Sequence, residues 1–148
     1  MATHKNRIDT IISLINSCPA MNRPSLAKIK AEFRQVLEAD DVSPIRRRNI
    51  LKILHSTRAL DSSLSTFLSS HGLLGLSHSM GSYLHQLKRH HNPSISNISE
   101  SERSKYQLSI VKVRNKHMHE ADQYPRNDRE VNELLSEMQA LIARVVSL

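Results

Sequence analysis

The sequence predicts an all-α protein, an antiparallel bundle of about five or six helices forming one domain over residues 1–148. Three observations predict it. Apolar residues return every three or four positions along most of the chain, the repeat of a helix with one buried face. Glycine is scarce: the three in 148 residues fall together at Gly72, Gly75 and Gly81, leaving few for the tight turns of an α/β fold. No segment alternates apolar and polar residues convincingly enough to read as a strand.

The elements follow in order. Ile8, Ile11, Ile12 and Ile15 mark a first helix, which Pro19 ends. Pro24 suits the opening turn of a second, where Leu26, Ile29, Phe33, Val36 and Leu37 share a stripe up to Asp40-Asp41. Ser43 and Pro44 read as the N-cap and first-turn proline of a third helix, which stops before Gly72. Its apolar face carries Ile50, Ile53, Leu54, Leu60, Leu64, Phe67 and Leu68. A fourth helix spans about Leu76 to His91, with Met80, Tyr83, Leu84 and Leu87 inward, and Asn92-Pro93 leads into a Ser/Asn-rich loop. Ser99-x-x-Glu102 is a capping box for a fifth helix, and Asn127-x-x-Glu130 opens a sixth in the same way. In that last helix Val131, Leu134, Leu135, Met138, Leu141, Ile142, Val145 and Val146 form an unbroken stripe.

Composition narrows the function. The lone Cys18 excludes an internal disulfide framework and a four-cysteine zinc site, and reads as a small buried apolar residue. No apolar run approaches the ~20 residues needed to cross a bilayer, and Met1–Ile12 lacks the features of a signal peptide, so a soluble cytoplasmic protein is expected. Neither G-x-G-x-x-G nor G-x-x-x-x-G-K-[ST] occurs, which removes the commonest nucleotide-binding loops, and the absence of G-x-S-x-G removes serine hydrolase chemistry. Aromatic residues make up 3% with no Trp, too few for base-stacking platforms. The net charge of +7 is concentrated: residues 42–99 set seven Lys and Arg against the single acid Asp61, while the flanks are nearly balanced. A basic middle attracts polyanions, and Arg46, Arg47, Arg48, Lys88 and Arg89, with Lys116 further on, are the expected RNA contacts.

The fifth helix breaks its own pattern. At 100° per residue, Tyr106, Ile110, Val111, Val113 and Met118 trace one apolar arc, and Arg114 falls inside it between Ile110 and Met118. His117 lands near Tyr106 on the same face. An arginine there needs an anionic partner, either Glu133 or Glu137 of the sixth helix or a phosphate in a cleft. His119 lies roughly 140° around a regular helix from Arg114. For both to act on one substrate, the helix must loosen near its end or a second subunit must complete the site.

The segment Val113-Arg114-Asn115-Lys116-His117-Met118-His119 resembles the signature of HEPN domains, an Arg followed after four to six residues by His, here with the polar Asn115 after the Arg. The pattern recurs, with six intervening residues, from Arg48-Asn49 to His55, but in the middle of a regular amphipathic helix early in the chain. The position of Arg114 toward the C-terminal end matches the family. The resemblance implies an all-α bundle and a metal-independent endoribonuclease acting as a homodimer, with two motifs meeting across the interface. It also implies a toxin or antiphage-defence effector, with an inhibitory antitoxin or defence partner, or else a catalytically inactive module that binds RNA, nucleotide or protein. Arg114, Asn115 and His119 would be the catalytic residues, with His117 and Tyr124 secondary. Family members paired with nucleotidyltransferases resemble R-x(4)-H-x-Y, whereas Ala121 stands at the Tyr position here and Tyr124 is out of register.

The chemistry suits these residue types. RNA carries its own nucleophile, the 2′-OH, so the protein has to move protons and stabilise developing charge on phosphate. Histidine serves the first task near neutral pH and arginine the second. No cofactor and no metal are expected: His78 and His85 are too far apart along one helix for one ion, and no acid or Cys completes a shell with His90 and His91. Those histidines read as solvated or RNA-facing.

Overall fold

The computed structural model describes residues 2–22 and 25–148, so the reading of Pro24 lies outside the described residues. Every regular element among them is helical: α1 (Ala2–Asn16), the single turn α2 (Pro19–Asn22), α3 (Leu26–Glu38), α4 (Ile45–Ser70), α5 (Met80–Arg89), α6 (Glu100–Tyr106), α7 (Lys112–His119) and α8 (Asp128–Val146). A 3-10 turn, Ala39–Asp41, follows α3, and a π-helical stretch, Gln107–Val111, joins α6 to α7 without a break. None of these helices is long and apolar enough to cross a membrane.

The 26-residue helix α4, about 39 Å long, runs through the middle and packs against α2, α3, α5, α7 and α8. Helix α1 lies on α8 and α3, where Arg7 clasps α8 through Asn132 (3.3 Å) and Gln139 (3.0 Å). The isoleucines of α1, Phe33 of α3, Leu60, Leu64 and Leu68 of α4 and the α8 stripe meet in one continuous core. Each such side chain, fully buried, stabilises the fold by roughly 1.5–3 kcal/mol. Cys18 is half-buried at the edge of this core.

Several boundaries differ from the sequence reading. Pro19 lies beyond the end of α1 and opens α2, as a residue without an N–H can. Pro44 stands in the extended N-cap position of α4, after a cis Ser43–Pro44 bond, instead of in the first helical turn. Helix α5 starts at Met80, and Leu76 is fully exposed, because Ser79 and Ser82 form a reciprocal capping box with backbone contacts of 3.2 and 3.3 Å. It ends at Arg89, where buried His90 turns its ring onto the loop: Nδ1 accepts from the Asn92 amide (3.2 Å), so Nε2 donates to the Ser96 carbonyl (2.9 Å). His90 is therefore a structural tie and not an RNA-facing group. The Ser99–Glu102 box forms in full. At α8 only half forms: Asn127 caps the Glu130 amide, while the Glu130 carboxylate takes the Arg126 amide instead.

The π-helical stretch has the largest consequence for the site. It adds one residue to a turn, so everything after Val111 is rotated by about 100° from a regular count. His117 consequently leaves the face of Tyr106, and Arg114 leaves the face of Ile110.

Candidate functional site

Helix α7 is short and is fixed at both ends. It continues from the π-helical stretch, whose Ile110 and Val111 are buried. Beyond His119 the chain turns extended at Glu120, and Asp122 adopts φ 62°, a left-handed conformation that Asp tolerates better than most residues. The turn is tied down from α4. Buried Asn49 donates to the Pro125 carbonyl, and Arg46 pairs with Asp122 at 3.2 Å. Arg126 donates to the Asp122 carbonyl (3.0 Å) and stacks over the Tyr124 ring at 3.9 Å, with Arg46 on the same ring at 5.9 Å. Tyr124 thus serves to order the turn that ends α7.

That arrangement brings the motif together within one chain. Arg114 Nη1 lies 3.1 Å from Asn115 Oδ1 and 3.3 Å from His119 Nε2. The regular-helix separation of Arg114 and His119 is overcome by the reach of the arginine side chain, without a second subunit. Arginine has only donors, so His119 Nε2 accepts in this contact and its proton sits on Nδ1. Glu133 and Glu137 are not the partners of Arg114: Glu133 pairs with Arg129, and Glu137 meets Ser109 and Lys105. Arg114 makes no ion pair among the described residues.

On its other side Arg114 opens onto a cleft of about 640 Å³. Helix α4 supplies one wall through Arg58, Asp61 and Ser62, the start of α5 another through His78, Met80 and Gly81, and Gln107, Val111 and Asn115 complete it. Burial pushes the Asp61 carboxyl above its ordinary range, while the positive charges of Arg114 and His78 pull it back in part. Asp61 was readable in the sequence as the lone acid of the basic middle, yet no motif drew attention to it. Nothing in the sequence marked Gln107.

A second cleft, of about 510 Å³, lies on the α8 side of α7 and holds Lys116 and His117 together with Glu130, Glu133 and Glu137. Burial lowers the His117 pKa, helped by the Lys116 charge, and its Nδ1 is buried without a hydrogen-bond partner among the described residues. His117 and His119 therefore face different surroundings, and Arg114 meets only His119.

The basic middle does not form one open surface. Five of its seven cations are met by acids from elsewhere in the chain. Arg46 pairs with Asp122, Arg48 with Asp128 (3.4 Å), buried Lys52 with Asp40, Arg58 with Glu32 (3.1 Å), and Lys88 with Glu100 (2.7 Å). Glu100 is held down to about 2 by Arg103 first and Lys88 second. Lys88 sits beside the first residue of α6 and Arg46 beside the turn after α7, so the two expected RNA contacts stand about 30 Å apart along that helix. Arg47 and Arg89 are exposed. Arg48 and His55 turn to different neighbours, Asp128 and Glu32, which separates the second Arg–His spacing. Among the described residues no group of three or more His, Cys, Asp or Glu is placed to hold a metal ion.

No family model, curated protein or solved structure matches this chain. The likeness to HEPN domains rests on its own residues.

Proposed function

We propose that the protein is an HEPN-like, metal-independent endoribonuclease. One observation carries the reading: Asn115 and His119 both meet the guanidinium of Arg114, and Arg114 and Asn115 line a cleft. In this reading the scissile phosphate binds Arg114, whose orientation Asn115 maintains. His119 Nε2, already the acceptor, takes the proton of the ribose 2′-OH. The 2′-oxygen bonds to phosphorus and the bond to the 5′-oxygen breaks, giving a 2′,3′-cyclic phosphate and a 5′-hydroxyl. The leaving oxygen needs a proton, and a second copy of the chain supplies it from its own His119. Support for that dimer comes from Leu108, 56% exposed in the π-helical stretch that leads into α7, the helix that carries the exposed Asn115 and His119. A role as toxin or antiphage-defence effector under a restraining partner belongs to the same proposal and follows from the resemblance.

His119→Ala should lower RNA cleavage by about 10²- to 10⁴-fold, the usual range for loss of a proton-transferring side chain. Its exposed position at a helix end should leave the melting temperature almost unchanged. Wild-type cleavage should persist in excess EDTA. A His119→Ala protein that cuts at the wild-type rate would overturn the assignment. RNA binding by the wild type with no cleavage under any condition would instead establish the inactive binding module.

A further inference from the structure

Asp61 is the group in the cleft with the least to do for the fold. It is half-buried on α4 and has no hydrogen bond and no ion pair among the described residues. Arg114 and His78 nearby act on it only through space, and Arg58 of the same wall is engaged with Glu32. A carboxylate taken partly out of water without a partner costs stability. A ligand of this cleft must therefore offer hydrogen-bond donors to Asp61 and negative charge to Arg114 at once.

We propose that Asp61 reads a guanine base placed in the cleft next to the phosphate held by Arg114, making the protein a guanine-preferring ribonuclease. The inference rests on the ribonuclease reading and gives it a substrate preference. A carboxylate accepts and cannot donate, and its two oxygens take two parallel donors best. Guanine presents such a pair, N1–H and the N2 amino group, on its Watson–Crick edge. Adenine and cytosine each set one amino group beside a ring nitrogen that repels a carboxylate, and uracil sets its one N–H between two carbonyls. Met80 and Val111 offer apolar contact to the base plane, and Gln107 and Ser62 offer further polar atoms within the same walls. In a nucleotide the ribose joins the base to the phosphate, so a base beside Asp61 and a phosphate on Arg114 place the ribose between them, with its 2′-OH next to the phosphate and to the Arg114–His119 contact.

The test uses RNA oligonucleotides identical except at one position, which carries guanosine, inosine or adenosine. The wild type should cut next to guanosine roughly 10- to 100-fold faster than next to adenosine, the discrimination expected of a bidentate pair. Inosine, which lacks the N2 amino group, should fall between them. Asp61→Asn keeps size and shape, replaces one acceptor with a donor, and should bring all three rates to within about threefold of one another. Equal wild-type rates, or an unchanged guanosine preference in Asp61→Asn, would overturn the proposal while leaving the ribonuclease reading intact. A second arm needs no cleavage: binding of GMP and AMP measured by calorimetry. GMP binding at least tenfold tighter than AMP, lost in Asp61→Asn, supports the proposal even if no RNA is cut and the ribonuclease reading fails. Equal affinity for the two nucleotides contradicts it.

Discussion

Lys52 and Asp61 are charged residues nine positions apart on α4, and the fold treats them in opposite ways. Lys52 is 1% exposed, yet its ammonium meets Asp40 and lies 3.3 Å from His4 Nδ1. Burial raises the Asp40 pKa, but the hydrogen bond and charge of Lys52 outweigh it, and the net shift is downward. His4 is lowered, by burial first and by Lys52 second, so it stays neutral beside the cation. Asp61 is less buried and receives no hydrogen bond or ion pair among the described residues, and its carboxyl is shifted upward. One site is closed by the chain itself and the other is left open to a ligand. The difference teaches where to look for function: a charge that the fold satisfies is structural, and a charge that the fold holds partly buried without satisfying is available for chemistry.

The comparison can be broken by removing either charge. Lys52→Ala should cost about 3 kcal/mol, since it leaves a cavity and removes the cation that meets Asp40 beside buried His4. Urea denaturation would measure this, and a cost below about 1 kcal/mol would mean that the buried cluster is not the support described. Asp61→Asn should act in the other direction, stabilising by about 0.5–1 kcal/mol, or roughly 2 °C in melting temperature. The folded state disfavours the ionised form of Asp61, so a neutral amide relieves it, and a clear fall in melting temperature would show that the carboxylate has a structural partner after all.

The smallest effect is a pH dependence on the far side of α7. His117, like His4, has a folded pKa below its ordinary value of 6.5. The unfolded chain therefore binds more protons as pH falls through and below 6.5, and stability is full above that range and declines with acidification. Melting temperature should drop from pH 7.5 to pH 5.5, and His117→Gln should flatten that slope. An unaltered slope would place His117 in open solvent, which its buried Nδ1 contradicts.

Much of the helical order was legible because periodicity and capping are local. The stripe of α8 and the Ser99–Glu102 box needed nothing beyond neighbouring residues. The start of α5 was missed because Ser79 and Ser82 cap each other with two hydroxyls, a pair that also suits loops. The facing of α7 was missed because nothing in Gln107–Val111 announces a π turn, and one added residue rotates Arg114 and His117 onto different neighbours. The basic surface was misjudged for a different reason. Charge counted along a segment ignores acids brought in by folding, and Asp122, Asp128, Glu32, Asp40 and Glu100 all come from outside residues 42–99. The motif named Arg114, Asn115 and His119, but regular helix geometry set Arg114 and His119 about 140° apart, so their contact within one chain was not expected. The cleft beside them and Asp61 across it became visible only when α4, α5 and α7 were packed together.

The most direct measurement of the central claim compares two oligonucleotides in excess EDTA, one entirely RNA and one with a single 2′-deoxy sugar at the mapped cleavage position. The account predicts that the first yields a 2′,3′-cyclic phosphate end, or its opened form, opposite a 5′-hydroxyl, and that the second stays intact at that position. Cleavage of the 2′-deoxy strand at a comparable rate, or products ending in a 3′-hydroxyl, would contradict a 2′-OH mechanism run by Arg114 and His119.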